Sequence, residues 1–245
     1  MTPHYPDTSL QNPRASAFTA RLYRISAFIA AYFLLTLAFV QLQRPDQPLA
    51  QPISHYLAGP YSSWLRMAAY LLGFSFALFG IAVRRTFRSP AGTLVMLLML
   101  VSTLSIIITT RFHAPWPHPE HPVSLFDARL HFSSAVITFI CAFMSMIVLT
   151  ALIWRLEAFR RRRFIFATLN VTVFITLVLD PLLLSLQGGL EKLVTLQMLT
   201  WQILMIRYLL LEKRTIDTAF PVSAPATAAA ARDSLAQRTF ARLRR

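Results

Sequence analysis

The chain has one cysteine, Cys141, among 245 residues. That excludes a disulfide within the chain and any metal site built on cysteine pairs. Acidic residues are scarce, ten against 24 Lys and Arg, and charged residues of both signs make up only 14% of the chain. Almost none of them falls inside the long apolar stretches. No phosphate loop, Gly-x-Ser-x-Gly elbow, dinucleotide fingerprint or His-Glu-x-x-His is present. There is no clear internal repeat. The apolar stretches also lack the paired midplane charges expected of a transporter built from inverted repeats.

What the chain has instead is apolar mass. Hydrophobic residues make up 56% of it. They gather in blocks of roughly 17–25 residues, the length that carries a helix across ~30 Å of hydrocarbon. The blocks run 23–40, 64–83, 91–110, 130–154, 164–186 and 193–211. The expected fold is therefore all-α, a polytopic membrane protein with a bundle of six transmembrane helices. Residues 1–20, with Pro3, Pro6 and Pro13, read as a disordered leader. Residues 21–214 form the transmembrane domain, and 215–245 an Ala/Pro-rich linker and basic tail. The first block has the basic start and apolar core of a signal peptide. It is long for one, however, and no good small-x-small cleavage site follows Val40, so it reads as an uncleaved helix.

The formal net charge of +14 would suggest nucleic acid in a soluble protein. Position explains it better. Nineteen of the 24 basic residues lie in the leader, loops 84–90 and 155–163, the tail and the adjoining span ends. Only Arg44, Arg66, Arg111, Arg129 and Lys192 belong to the other side. The acidic residues divide evenly between the two sides. Basic loops stay inside, so both termini are expected in the cytoplasm and the chain in the inner (plasma) membrane. The basic tail, with Leu235, Phe240 and Leu243, would either rest on anionic lipid as a short helix or extend into solvent. No nucleic-acid partner is expected, and the oligomeric state is not encoded legibly.

Small and weakly polar residues mark helix contacts in lipid. Such stripes are Ala69, Gly73 and Ala77 with Gly80 nearby; Ser102, Ser105 and Thr109; and Ser134, Thr138, Ala142 and Ser145. Gln197, Trp201, Gln202 and Asn170 are placed to hydrogen-bond across the bundle. Asp180-Pro181 sits late in the fifth block. An acid there is a functional candidate, or an interfacial residue partnered by Lys192 or Arg66.

The segment Pro52-Ile53-Ser54-His55-Tyr56-Leu57-Ala58-Gly59-Pro60-Tyr61-Ser62-Ser63-Trp64 leads through Gly73 to Arg84-Arg85. The sixth block opens with Gly189-Leu190-Glu191-Lys192 and reaches Trp201. In these features the chain resembles domain-of-unknown-function family 998, small multi-span bacterial membrane proteins, over about residues 25–212. The family's acid after the third span is missing, because the chain reads Phe112-His113-Ala114-Pro115. His131 fills the family's place for a histidine near the start of span four. The resemblance implies six spans and no particular activity.

Five of the six histidines belong to the outer side. The loop from His113 to Pro122 alternates proline with polar residues and should be extended. If a helix starts at Leu125, Asp127 and His131 lie four apart on one face. His55, His113, Asp127, His131 and Asp180 thus form a candidate polar or ligand site. Within it, His113, Asp127 and His131 offer donors that suit zinc, nickel or copper. An open position on such a metal would permit hydrolysis by bound water. Against this, Ser124-x-x-Asp127 is close to a capping box, and the loop histidines are equally consistent with solvated, idle residues. With one histidine near a span, a membrane cytochrome is disfavoured. The leading reading is a non-enzymatic binding, accessory or transport-related component. The alternative is a membrane-embedded metal-binding protein or metal-dependent hydrolase, and a third reading is a small transporter.

Overall fold

The computed structural model describes residues 17–44, 51–57, 59–112, 124–156, 159–180, 182 and 187–219. The leader to residue 16, the tail from residue 220, and His113 with its proline-rich loop lie outside them. The described residues form α1 (Ala17–Gln43), a short 3-10 helix η1 (Ile53–Leu57), α2 (Ser62–Thr86), α3 (Pro90–Arg111), α4 (Leu125–Trp154), α5 (Arg163–Leu179) and α6 (Gln187–Ala219). Five of the six α-helices are long and apolar enough to cross a membrane. The exception is α5, whose 17 residues reach only about 25 Å at 1.5 Å per residue. The fifth apolar block continues to Leu186, but the helix ends at Leu179. Pro181 has no N–H with which to extend the ladder. Asp180 closes the helix by donating its N–H to the Thr176 carbonyl, 3.0 Å away.

Serines start two of the helices. The Ser89 hydroxyl accepts from the Gly92 N–H, with Pro90 preset in the first turn of α3. The Ser124 hydroxyl accepts from the Asp127 N–H at 3.0 Å and starts α4.

The helices run alternately up and down. Tyr23 near the start of α1 bonds Thr86 at the end of α2 (2.9 Å). Arg162, just before α5, pairs with Glu212 late in α6 (3.1 Å) and lies over the Tyr208 ring. Each helix packs on the next, and α6 returns to α1, so the bundle closes as a ring. One end therefore collects the arginines at 84, 85, 88, 155 and 160–163; this is the basic end. The far end collects η1, the start of α4 and the start of α6.

The surface is apolar and the interior partly polar, the reverse of a soluble domain. Phe28, Leu35, Leu104, Ile140 and Phe174 are all exposed. Such a belt requires a hydrocarbon solvent, and the chain is a multi-pass membrane protein. Inside, α2 is the most enclosed of the five long helices. Gly80 lets it approach α3 closely: a Cβ there would lie 2.9 Å from the Met99 Cβ and 3.3 Å from the Met96 carbonyl oxygen. The Thr103 hydroxyl donates to the Gly73 carbonyl (2.8 Å). Between α3 and α4, Thr109 and Ser134 bond at 2.7 Å, while Ser102 and Ser145 are fully buried. The small-residue stripes are thus packing faces.

Mid-bundle, three helices are tied by one polar knot. The Ser26 and Ser75 hydroxyls bond each other and each other's carbonyls at 2.9–3.0 Å. Gln202 donates to both hydroxyls at 2.9 and 3.1 Å. Gln197 accepts from Thr176, and Asn170 donates to Thr150. Trp201 was grouped with them by sequence, but it contributes packing. Its Nε1 is buried without a hydrogen bond among the described residues, and its ring meets Phe79 and Phe166 edge-on.

Candidate functional site

The far end is organised by the segment between α1 and α2. Gly59 (φ 78°) and Tyr61 (φ 62°) both adopt left-handed backbone, which turns the chain sharply into α2. Glycine takes this conformation freely, while Tyr61 is held by edge-on contact with Phe39. The turn lays η1 across the bundle, where three contacts pin it. The Ile53 N–H donates to Glu191 Oε2 (3.1 Å). Arg66 Nε donates to the Leu57 carbonyl (2.7 Å). Tyr56, with no exposed surface, donates its hydroxyl to Gln41 Oε1 (2.7 Å). Lys192 also donates to that Gln41 oxygen (2.8 Å). The Tyr56 ring faces Lys192 Nζ at 4.7 Å and the Arg44 guanidinium at 5.5 Å, both within cation–π range. The Ser-x-Tyr-x-x-Gly-Pro-Tyr pattern therefore encodes an anchor residue followed by a turn.

Beneath η1 lies a partly open cavity of about 100 Å³. It extends about three helical turns down the bundle, past Leu65 to Phe76 on α2, His131 to Ala142 on α4 and Glu191 to Leu199 on α6. Its mouth carries Ser54, Thr109, Thr110, His131, Glu191 and Thr195. Deeper down the wall becomes mostly apolar, with Phe33, Leu72, Phe76, Ala142 and Leu199, and Thr138 is the polar residue among them.

Of the five sequence-derived site residues, His131 lines this cavity. It is buried, and its Nδ1 lies 3.0 Å from the carbonyl oxygens of both Thr109 and Phe112. Two carbonyls can only accept, so Nδ1 carries a proton, and in that neutral tautomer Nε2 is the acceptor. Asp127 lies one turn earlier on α4, where its N–H is capped by Ser124; no hydrogen bond joins it to His131. Asp180, at the end of α5, interacts electrostatically with Glu191. Its Oδ1 is buried without a hydrogen bond among the described residues. Lys192 and Arg66, expected as its partners, turn to Gln41, Tyr56 and the Leu57 carbonyl. His113 lies outside the described residues, among which no three His, Cys, Asp or Glu side chains are grouped to hold a metal ion.

Sequence reasoning left two residues out of the site. Glu191 and Lys192 entered only through the family pattern and as a partner for Asp180. The available signal was an acid–lysine pair in the opening turns of an apolar span, where unpaired charge is costly.

His55 sits on η1 with Nδ1 3.1 Å from Gln51 Oε1. Burial, then the charges of Arg44 and Lys192, push its pKa down from 6.5 to about 4. The pinned segment thus holds His55 neutral, whereas a released segment would protonate it more readily. The resulting stability is fully present above about pH 6.5 and is lost as pH falls towards 4. Protection factors for hydrogen exchange over residues 51–66 should fall across that window in the wild type, and the step should vanish in His55→Gln. An unchanged pH profile in the variant would remove His55 as the cause.

No curated protein and no solved structure matches the chain. The family described as Protein of unknown function (DUF998) matches residues 26–208. That range holds η1, Gly59, Tyr61, His131 and Glu191, the residues that build the far end. The chain belongs to the DUF998 family.

Proposed function

We propose that this is a non-enzymatic inner-membrane protein that binds an amphipathic small molecule or lipid segment beneath η1, as a binding, accessory or transport-related component. One observation carries the reading: a cavity with a polar mouth and a mostly apolar floor, roofed by a segment that is pinned at three points. A cavity of roughly 150 Å³ lined by Leu, Ile and Phe is enough to take up benzene, so this one suits a short apolar body or the end of a chain. Lipid mass spectrometry of the purified protein tests it. A co-purifying compound should be present in the wild type and lost in Ala69→Phe, which fills the cavity. The same compound retained by that variant, or none in the wild type, would reject the reading.

The proposal includes six crossings, with the basic end and both termini in the cytoplasm. Although α5 is short, it runs from Arg163 at the basic end to Asp180 near Glu191, so the segment connects the two ends. Reporter fusions at Arg88, Arg161 and the C-terminus should report cytoplasm, and fusions near Gln51 and Pro119 the outside. A fusion at the C-terminus that reports the outside would overturn both the span count and the orientation.

A metal-centred alternative draws on His131 Nε2 and the Glu191 carboxyl, which face one cavity, with His113 and Asp127 as the further ligands read from sequence. Stoichiometric zinc, nickel or copper in protein purified without a His-tag, abolished by His131→Ala, would favour it.

A further inference from the structure

The polar groups at the cavity mouth are unequally supplied with donors and acceptors. Three threonine hydroxyls reach it and Thr138 lies deeper, and each donates to a carbonyl of its own helix: Thr109 to Ser105 (2.9 Å), Thr110 to Ile106 (2.7 Å), Thr138 to Ser134 (2.9 Å) and Thr195 to Glu191 (2.8 Å), while Thr109 also meets the Ser134 hydroxyl (2.7 Å). A hydroxyl has one proton, so each of these oxygens has only lone-pair capacity left. His131 has committed its Nδ1 proton to the carbonyls of Thr109 and Phe112, and its Nε2 accepts. Glu191 uses Oε2 on the Ile53 N–H, and Oε1 remains, an acceptor when the carboxyl is ionised and a donor when it is protonated. Ser54 alone among the mouth hydroxyls keeps its proton for either role. The Ile53 N–H of the wall is spent on Glu191. With Glu191 ionised, then, the mouth is rich in acceptors and short of donors among the described residues.

A ligand that brings only acceptors would leave these lone pairs, and its own, without partners in a low-dielectric site. That is a penalty which a donor removes. We infer that the occupant carries a hydrogen-bond-donating head, an alcohol or amine, on a short apolar body, with the head held between Glu191 and His131. This rests on the cavity being a ligand site at all.

Two isomers isolate the point. Hexan-1-ol and 1-methoxypentane have the same atoms and nearly the same shape, and only the first has a donor. Binding of each, and of hexylamine and hexanoate, would be measured by ligand-observed NMR on the full chain in lipid nanodiscs, with empty nanodiscs subtracted. The alcohol should bind roughly ten-fold more tightly than the ether, the effect of about one net hydrogen bond. Hexylamine tighter than hexan-1-ol would assign a cationic head, and the reverse order a neutral one; either supports the inference. Hexanoate should be the weakest. In Glu191→Gln the amide supplies a donor of its own, and the preference for alcohol over ether should fall below about three-fold. If that variant does not fold, the wild-type isomer pair still decides. An ether that binds as tightly as the alcohol overturns the donor requirement while leaving the ligand site standing. If none of the four binds, the ligand site itself is rejected and the inference with it.

Discussion

Tyr56→Ala is expected to release the roof of the cavity. The ring is fully buried between Lys192 and Arg44, and its hydroxyl shares the Gln41 oxygen with Lys192. Truncating a buried aromatic costs about 3–5 kcal/mol. Here it would also remove the aromatic face beneath two cations. Hydrogen exchange and limited proteolysis should show residues 51–66 opening, while the mid-bundle helices stay protected. Tyr56→Phe keeps the ring and loses only the hydroxyl, so its cost should be nearer 1 kcal/mol. Equal protection of the segment in wild type and Tyr56→Ala would show that the anchor lies elsewhere.

Gly80→Leu should damage the bundle more broadly. Even a methyl at this position meets the Met99 Cβ at 2.9 Å and the Met96 Cα at 3.2 Å. One of those atoms is backbone, so no rotamer change clears it. Overpacking of this kind usually costs 1–3 kcal/mol, and Leu adds a branched group to an already closed contact. The expected result is a lowered melting temperature in detergent, with much of the protein aggregated. Gly73→Ala should also strain this interface, because the added Cβ would lie 2.6 Å from Cγ2 of Ile106, a β-branched side chain that is stiff at χ1. A Gly80→Leu protein with wild-type melting would mean that α2 and α3 can separate at little cost.

The helices were legible because hydrocarbon imposes a simple rule on length and polarity. The stripes on α2, α3 and α4 were legible for a related reason: only small side chains allow backbones to approach within a membrane. Ser124-x-x-Asp127 gave the start of α4 from its capping pattern. Much of the site followed no such rule. His131 could be singled out, but its Nδ1 partners are the carbonyls of Thr109 and Phe112, which no side-chain pattern can announce. Tyr56 stood in a recognisable pattern that gave no hint of the two cations around it, because Lys192 arrives from 136 residues away. The end of α5 was legible from Pro181, which has no N–H to give, although not from hydropathy. Hydropathy continues smoothly through 182–186, and the helix stops on the backbone chemistry of one proline.

The knot of Ser26, Ser75 and Gln202 also limits how the molecule can move. Sliding α1 or α2 along its axis would strain the Ser26–Ser75 bonds, and sliding α6 the two from Gln202, in a medium with no water to replace them. Tilting about the knot would leave them nearly intact while displacing the helix ends. The three helices are thus joined at a fulcrum rather than along a rail. Any widening at the far end is cheapest as a rocking motion, with the largest excursions where η1 meets Glu191 and the smallest at Ser75.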